Sequence, residues 1–187
     1  VPEPAVTPTP SPVTSVTPKP TPTPVRTPEP YVPNKPLSPE LSFALGEALE
    51  YRVSAGGRPV GTFVLRARER KEIDSKDTLV LTATVTNAVP DNPVFALNDT
   101  ITAHVDPDSL APRKIDIKLS SGLNLLNQTA IFDETTGKIT YNGKEQVDAP
   151  IGTHSILSLI YAMRSFNLKP SKTLSNPVND TRVAVFW

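Results

Sequence analysis

Apolar and polar residues alternate along the chain from Leu49 onward. Leu49, Tyr51 and Val53 interleave with Glu50, Arg52 and Ser54, the period-two pattern of a half-buried strand. Gly56-Gly57-Arg58 follows as a turn with two residues free to take positive φ. Phe63, Leu65 and Ala67 then alternate with Thr62, Val64, Arg66 and Arg68. A polar loop is expected at residues 71–77, before Leu79, Leu81, Ala83 and Val85, with Thr78, Val80, Thr82, Thr84 and Thr86 on the opposite face. Matching apolar faces sets the registers, because a one-residue slip would turn every side chain over. Tyr51 should lie opposite Phe63 and Leu49 opposite Leu65; Phe63 should pair with Val85, Leu65 with Ala83 and Ala67 with Leu81.

The pattern continues. Ile101, Ala103 and Val105 form a strand ended by Asp106-Pro107-Asp108. Ile115, Ile117 and Leu119 form another that stops at Ser120-Ser121-Gly122. A strand at Asn127–Phe132, a turn at residues 133–137, a short strand at Ile139 and Tyr141 and the Asn142-Gly143 hairpin signal follow. Short strands at this spacing predict a mainly β fold, an antiparallel meander or curved half-barrel sheet.

One segment departs from period two. Ile156, Leu159, Ile160, Met163 and Phe166 recur at helical spacing. A helix is predicted at residues 154–166, with Thr153 as its cap, Arg164 in its last turn and Pro170 beyond its end. Its stripe is expected to pack on the sheet and Ser155, Ser158 and Ser165 to face solvent. The other possibility, a helix lying on a membrane surface, requires a polar face rich in Lys and Arg. A last strand is expected at residues 181–187; its ending on Phe186-Trp187 without a turn predicts that further strands belong to the domain.

Composition sets the region before Ser38 apart. Fourteen of the 22 prolines fall in residues 1–39, with seven threonines and no glycine. Proline fixes φ, removes a donor and pushes its predecessor to extended geometry. Residues 1–37 therefore read as a disordered Pro/Thr-rich tether, with no contacts holding it to a β domain at residues 38–187. Such a segment serves as a spacer or an inter-domain linker; P-x-x-P matches for proline-binding domains are inevitable in this composition. Its threonines suit O-glycosylation. Valine in first place reads as a mature form or a fragment, with any leader or anchor outside it.

Charge and chemistry narrow the function classes. There are 19 basic and 19 acidic residues, so no excess positive charge exists to grip nucleic acid. No apolar run approaches the roughly 18 residues of a membrane-spanning helix. Without Cys there is no disulfide, which does not identify the compartment. His104 and His154 are the two histidines; they could join Asp99 or Asp148 in a metal site, but His104 reads as a solvated strand residue and His154 as a helix-start contact. Nucleophile-elbow and phosphate-loop motifs are missing, so no catalytic, metal or cofactor residue is assigned. Arg52, Arg66, Arg68 and Arg70 are expected on one solvent face, balanced by Glu50, Glu69 and Glu72. Three N-x-T matches stand at Asn98, Asn127 and Asn179, where ten asparagines would give one or two by chance; they matter only in a eukaryotic host.

Residues 45–62, L-G-E-A-L-E-Y-R-V-S-A-G-G-R-P-V-G-T, resemble the opening of a bacterial exported family known as domain of unknown function 3108, with Gly46, Glu47, Tyr51, Gly57 and Gly61 in the family's places. Residues 104–113 are similar to its Asp…Leu-x-Pro turn and residues 132–141 to its next hairpin. Residues 155–164 are similar to its single helix, with Ser155 where an acid is expected. The resemblance implies export to the cell envelope, a curved sheet wrapped about a helix like that of periplasmic lipoprotein carriers, and further strands after residue 187. It supplies no catalytic residue.

Three functions are thus in view: a module that binds a lipidic or other apolar ligand between sheet and helix, a structural or protein-interaction domain with a filled core on a stalk, and, least favoured, an enzyme. The partner expected is a lipid or envelope component, with no nucleic acid and with membrane contact only through an anchor outside this sequence.

Overall fold

A computed structural model describes residues 31–90, 96–120 and 124–165, together with Val178–Asn179 and Val185–Phe186. Eight strands make one open antiparallel sheet in sequence order: β1 (Ala48–Ala55), β2 (Arg58–Ile73), β3 (Lys76–Ala88), β4 (Thr100–Val105), β5 (Pro112–Lys118), β6 (Gln128–Asp133), β7 (Lys138–Tyr141) and β8 (Glu145–Asp148). β9 (His154–Ser155) leads into the helix α1 (Ile156–Ser165) and pairs in parallel with β10 (Val178–Asn179), which pairs antiparallel with β11 (Val185–Phe186). The other positions of the expected last strand, and Phe166 of the helix stripe, lie outside the described residues.

The expected registers hold. Tyr51 faces Phe63 and Leu49 faces Leu65; Phe63 pairs with Val85, Leu65 with Ala83 and Ala67 with Leu81. The Gly56-Gly57 turn has φ of 58° and 77°, both in the left-handed region that a two-residue hairpin of matching twist requires. Asn142 and Gly143 make the same kind of turn. One expectation fails at the tip of the second hairpin. The polar stretch 71–77 is not a loop: β2 runs to Ile73, β3 starts at Lys76, and only Asp74 and Ser75 turn, at φ 51° and 58°. No glycine marks this turn, so polarity alone was misleading there.

The core lies on one face of the sheet. Leu79, Leu81, Ala67, Ala103, Val105, Ile115, Ala130 and Ile139 are fully buried on it, because period two brings these positions to one side across six consecutive strands. Between β4 and β5, Asp106 Oδ1 accepts from the amides of Asp108 and Ser109, and Leu110 enters the core at φ 59°. The Asn127 side chain bonds both backbone groups of Leu119 and so ties the β5–β6 connection.

Arg70 departs from the arginine face. A bulge between Ala67 and Glu69 shifts the alternation by one, so Arg52, Arg66 and Arg68 stay exposed while Arg70 is buried. Its guanidinium bridges Asp77 at 2.6 Å and donates to the Pro36 carbonyl at 2.8 Å. The Arg70 hydrogen bonds hold the Asp77 carboxyl below its usual range. Tyr31 also donates to Asp77, at 3.3 Å. Residues 31–36, whose prolines read as tether, are therefore fastened to the sheet. Together with Gly46 and Glu47, which exchange backbone bonds with Ala67, they cover the stretch of β2 that β1 is too short to reach.

The helix forms as expected and presents a different face. Leu157, Ser158, Tyr161 and Ala162 are buried, whereas Ile156, Ile160 and Met163 are 48%, 37% and 47% exposed. Tyr161, at the edge of the Phe43 ring 4.8 Å away, fills the core with the largest side chain of the helix. The serines can be buried because they satisfy one another at the helix start. Ser155 Oγ accepts from the Ser158 amide at 3.1 Å and Ser158 Oγ accepts from the Ser155 amide at 3.0 Å, a reciprocal cap in the manner of a capping box. Ser155 is therefore the cap; the Thr153 hydroxyl donates instead to the Pro150 carbonyl at 2.6 Å. At the other end Arg164 grips both Glu47 oxygens, at 2.5 and 3.0 Å, and lies 5.6 Å from the Phe43 and Tyr161 rings.

Candidate functional site

The flank of α1 does not close on the sheet. A cavity of about 350 Å³ lies between them, within the ordinary size range of small-molecule sites. Its deep wall is Leu65, Ile115, Ile117 and Leu157, all 5% exposed or less. Phe63, Ala83, Ile101, Leu119 and Leu126 are half-buried around it, and Ile156 and Ile160 stand at its mouth. The space exists for two reasons. Ala83 puts a small side chain between Leu65 and Ile101, its cross-strand partners. Tyr161, not Ile160, goes into the core, so the Ile156–Ile160 edge is held away from the strand ends.

The cavity surface is almost wholly hydrocarbon. Asp99 borders it, and its carboxylate is fully engaged elsewhere: Oδ1 accepts from the Ser120 amide at 2.7 Å and from the Ser120 hydroxyl, and Oδ2 from the Ala96 amide at 2.7 Å. Burial pushes its pKa up, but these hydrogen bonds outweigh burial and hold it below the usual carboxylate range. This acid pins the loop before β4 to the end of β5. Thr100, also at the border, has its hydroxyl on the Ala83 carbonyl at 3.2 Å and against Thr84 Oγ1 at 3.3 Å. Tyr51, expected inward, is 41% exposed and stacks on Phe63 with ring centres 5.2 Å apart. It extends the apolar surface outward from the cavity wall.

The titratable residues that could have joined in a metal site occupy separate places. His154 is buried in β9 with Nδ1 3.3 Å from Ser158 Oγ, and burial pushes its pKa down. His104 pairs across strands with Val80 and Lys114, on the face away from the core, beside a second cavity of about 260 Å³. It is half-buried rather than solvated, and burial, with Lys114, lowers its pKa. Asp99 is committed to Ser120, and Asp148 lies in the edge strand β8. Among the described residues no three His, Asp or Glu side chains converge in a metal-binding group, and no helix is long and apolar enough to cross a membrane.

The cavity residues come from β2, β3, β4, β5, the turn at Asn124–Leu126 and α1. Sequence patterning identifies the apolar strand residues among them as inward, misses Leu126 and Leu157, and cannot tell a filled core from an unfilled one. The one available signal was Ala83 among larger neighbours.

No curated protein and no solved structure matches the chain. The family described as "Protein of unknown function (DUF3108)" matches over residues 50–184. That span runs from the first hairpin, through the cavity-lining strands, past α1 and up to β11. With well over half its length matched, the chain belongs to this family of unknown function, DUF3108.

Proposed function

We propose that the domain is a non-catalytic binding module for a lipidic or other apolar ligand, held in the cell envelope outside the cytoplasm. The observation that carries the reading is the cavity beside α1, of about 350 Å³ with a hydrocarbon surface and an apolar mouth. A water in it would find no partner, whereas genuinely apolar cavities of this kind stay dry and take apolar guests. A domain acting only as a structural or interaction unit gains nothing from such a void, since unfilled core volume lowers stability. The half of the sheet around Leu79, Leu81, Val105 and Tyr161 is filled, so the void is local. The envelope location rests on the proline-rich N-terminal segment and on the resemblance to an exported family.

Fluorescence titration with N-phenylnaphthylamine tests the site. Saturable enhancement is expected in the 187-residue chain, and its loss in Ala83→Leu, which fills the cavity. Equal enhancement in both proteins would mean the dye binds elsewhere, and the structural reading would take precedence.

A further inference from the structure

Resting on the reading of this cavity as a ligand site, we infer that its occupant is one unbranched alkyl chain, inserted tail first, with its polar head left outside between Ile156 and Ile160.

Three observations carry this. First, the cavity has a depth order: Leu65, Ile115, Ile117 and Leu157 are buried, while Ile156 and Ile160 are 48% and 37% exposed. A ligand therefore has an inner and an outer end. Second, the polar groups at the border are taken. Asp99 is committed to Ser120 and Ala96, and Thr100 to Ala83. A head group carried inside would lose its water and find no partner, a cost no apolar contact at the same atom offsets. Third, the size suits one chain. With a methylene taken as occupying about 30 Å³, roughly the share of one water in the liquid, a cavity of about 350 Å³ holds on the order of ten carbons. A lipid with two long chains would have to leave one of them outside.

Isothermal titration of the 187-residue chain with hexanoate, octanoate, decanoate, dodecanoate and tetradecanoate tests the inference. Affinity should rise about fourfold per added methylene, then level off once the chain fills the cavity. Alkylphosphocholines of equal chain length should bind comparably, since their heads stay outside. Ile160 is exposed, so its replacement spares the fold and reports on the head. Ile160→Lys should strengthen decanoate and weaken decyltrimethylammonium severalfold, and Ile160→Glu should do the opposite. If affinity is independent of chain length, if a rigid polycycle such as cholesterol outcompetes every chain, or if the charge swaps leave binding unchanged, the single-chain, head-out arrangement is wrong, although an apolar site remains. If neither alkanoates nor cholesterol nor N-phenylnaphthylamine binds more tightly than to Ala83→Leu, the cavity is not a ligand site and both readings fall.

Discussion

Asn34 and Arg70 close a two-way backbone clasp: the Asn34 amide donates to the Arg70 carbonyl at 2.7 Å, and the Arg70 amide donates to the Asn34 side-chain oxygen at 3.1 Å. The pair is 36 residues apart and joins a stretch read as tether to the C-terminal end of the longest strand. Removing residues 1–36 is therefore expected to lower the melting temperature by several degrees. Asp77→Asn is expected to cost on the order of 2 kcal/mol, because Arg70 stays buried without its counter-charge; the figure is below that for a fully buried pair since Asp77 is partly exposed. Urea unfolding of both variants measures this.

The inverted helix reverses which substitutions matter. Tyr161→Ala should cost about 3–5 kcal/mol as a large core deletion. Ile160→Ala, at the exposed mouth, should cost under about 1 kcal/mol. Ser158→Ala removes half of the reciprocal cap and should cost about 1–2 kcal/mol. Tyr161→Phe should be neutral or stabilising, since the Tyr161 hydroxyl is buried with no hydrogen-bond partner. Burial pushes its pKa up to about 12, so it stays protonated at any working pH. Thermal melts of the four variants would rank them.

The turn at Asp74-Ser75 holds two non-glycine residues at positive φ, a conformation that costs an L-residue roughly 1 kcal/mol. Ser75→Gly is expected to raise stability by about that amount, less the extra entropy glycine brings to the unfolded chain. Differential scanning calorimetry would detect the gain, and a loss would mean the turn has another geometry.

Histidine should make the domain sensitive to mild acid. Burial lowers the pKa of His154 in the folded state, and His104 is lowered in the same sense. The stability each contributes is present above the unfolded value, about 6.5, and is lost as pH falls through the folded pKa. Melting temperature should therefore be flat above neutrality and decline below about pH 6.5. His154→Gln should flatten part of that decline while lowering the plateau only modestly.

The strands and their pairing were legible because a single physical rule, one face in and one face out, governs them from Leu49 to Tyr141. The rule gave the registers and the strand order, though not the two-residue turn at Asp74-Ser75. It failed where a neighbouring contact overrides periodicity. The bulge after Ala67 turned Arg70 inward. The mutual bonding of Ser155 and Ser158 made serine a core residue, and Phe43 drew Tyr161 into the core in place of Ile160. Each reversal depends on a partner distant in sequence or on a local bond between polar groups, neither of which hydropathy records. The cavity was illegible for a further reason: whether apolar side chains meet is a matter of ångströms.

Because every strand of the large sheet pairs with its sequence neighbour, hairpins can form one after another with little loop closure, the arrangement that speeds folding of β proteins. The bond from Glu47 to Arg164 is different, spanning 117 residues, and its closure entropy must be met at once. The sheet is thus expected to assemble before α1 docks, and α1 to be the first element to leave. The helix side of the cavity, Leu157 with Ile156 and Ile160, thus forms after its sheet side, so the site opens at a fraction of the free energy of global unfolding.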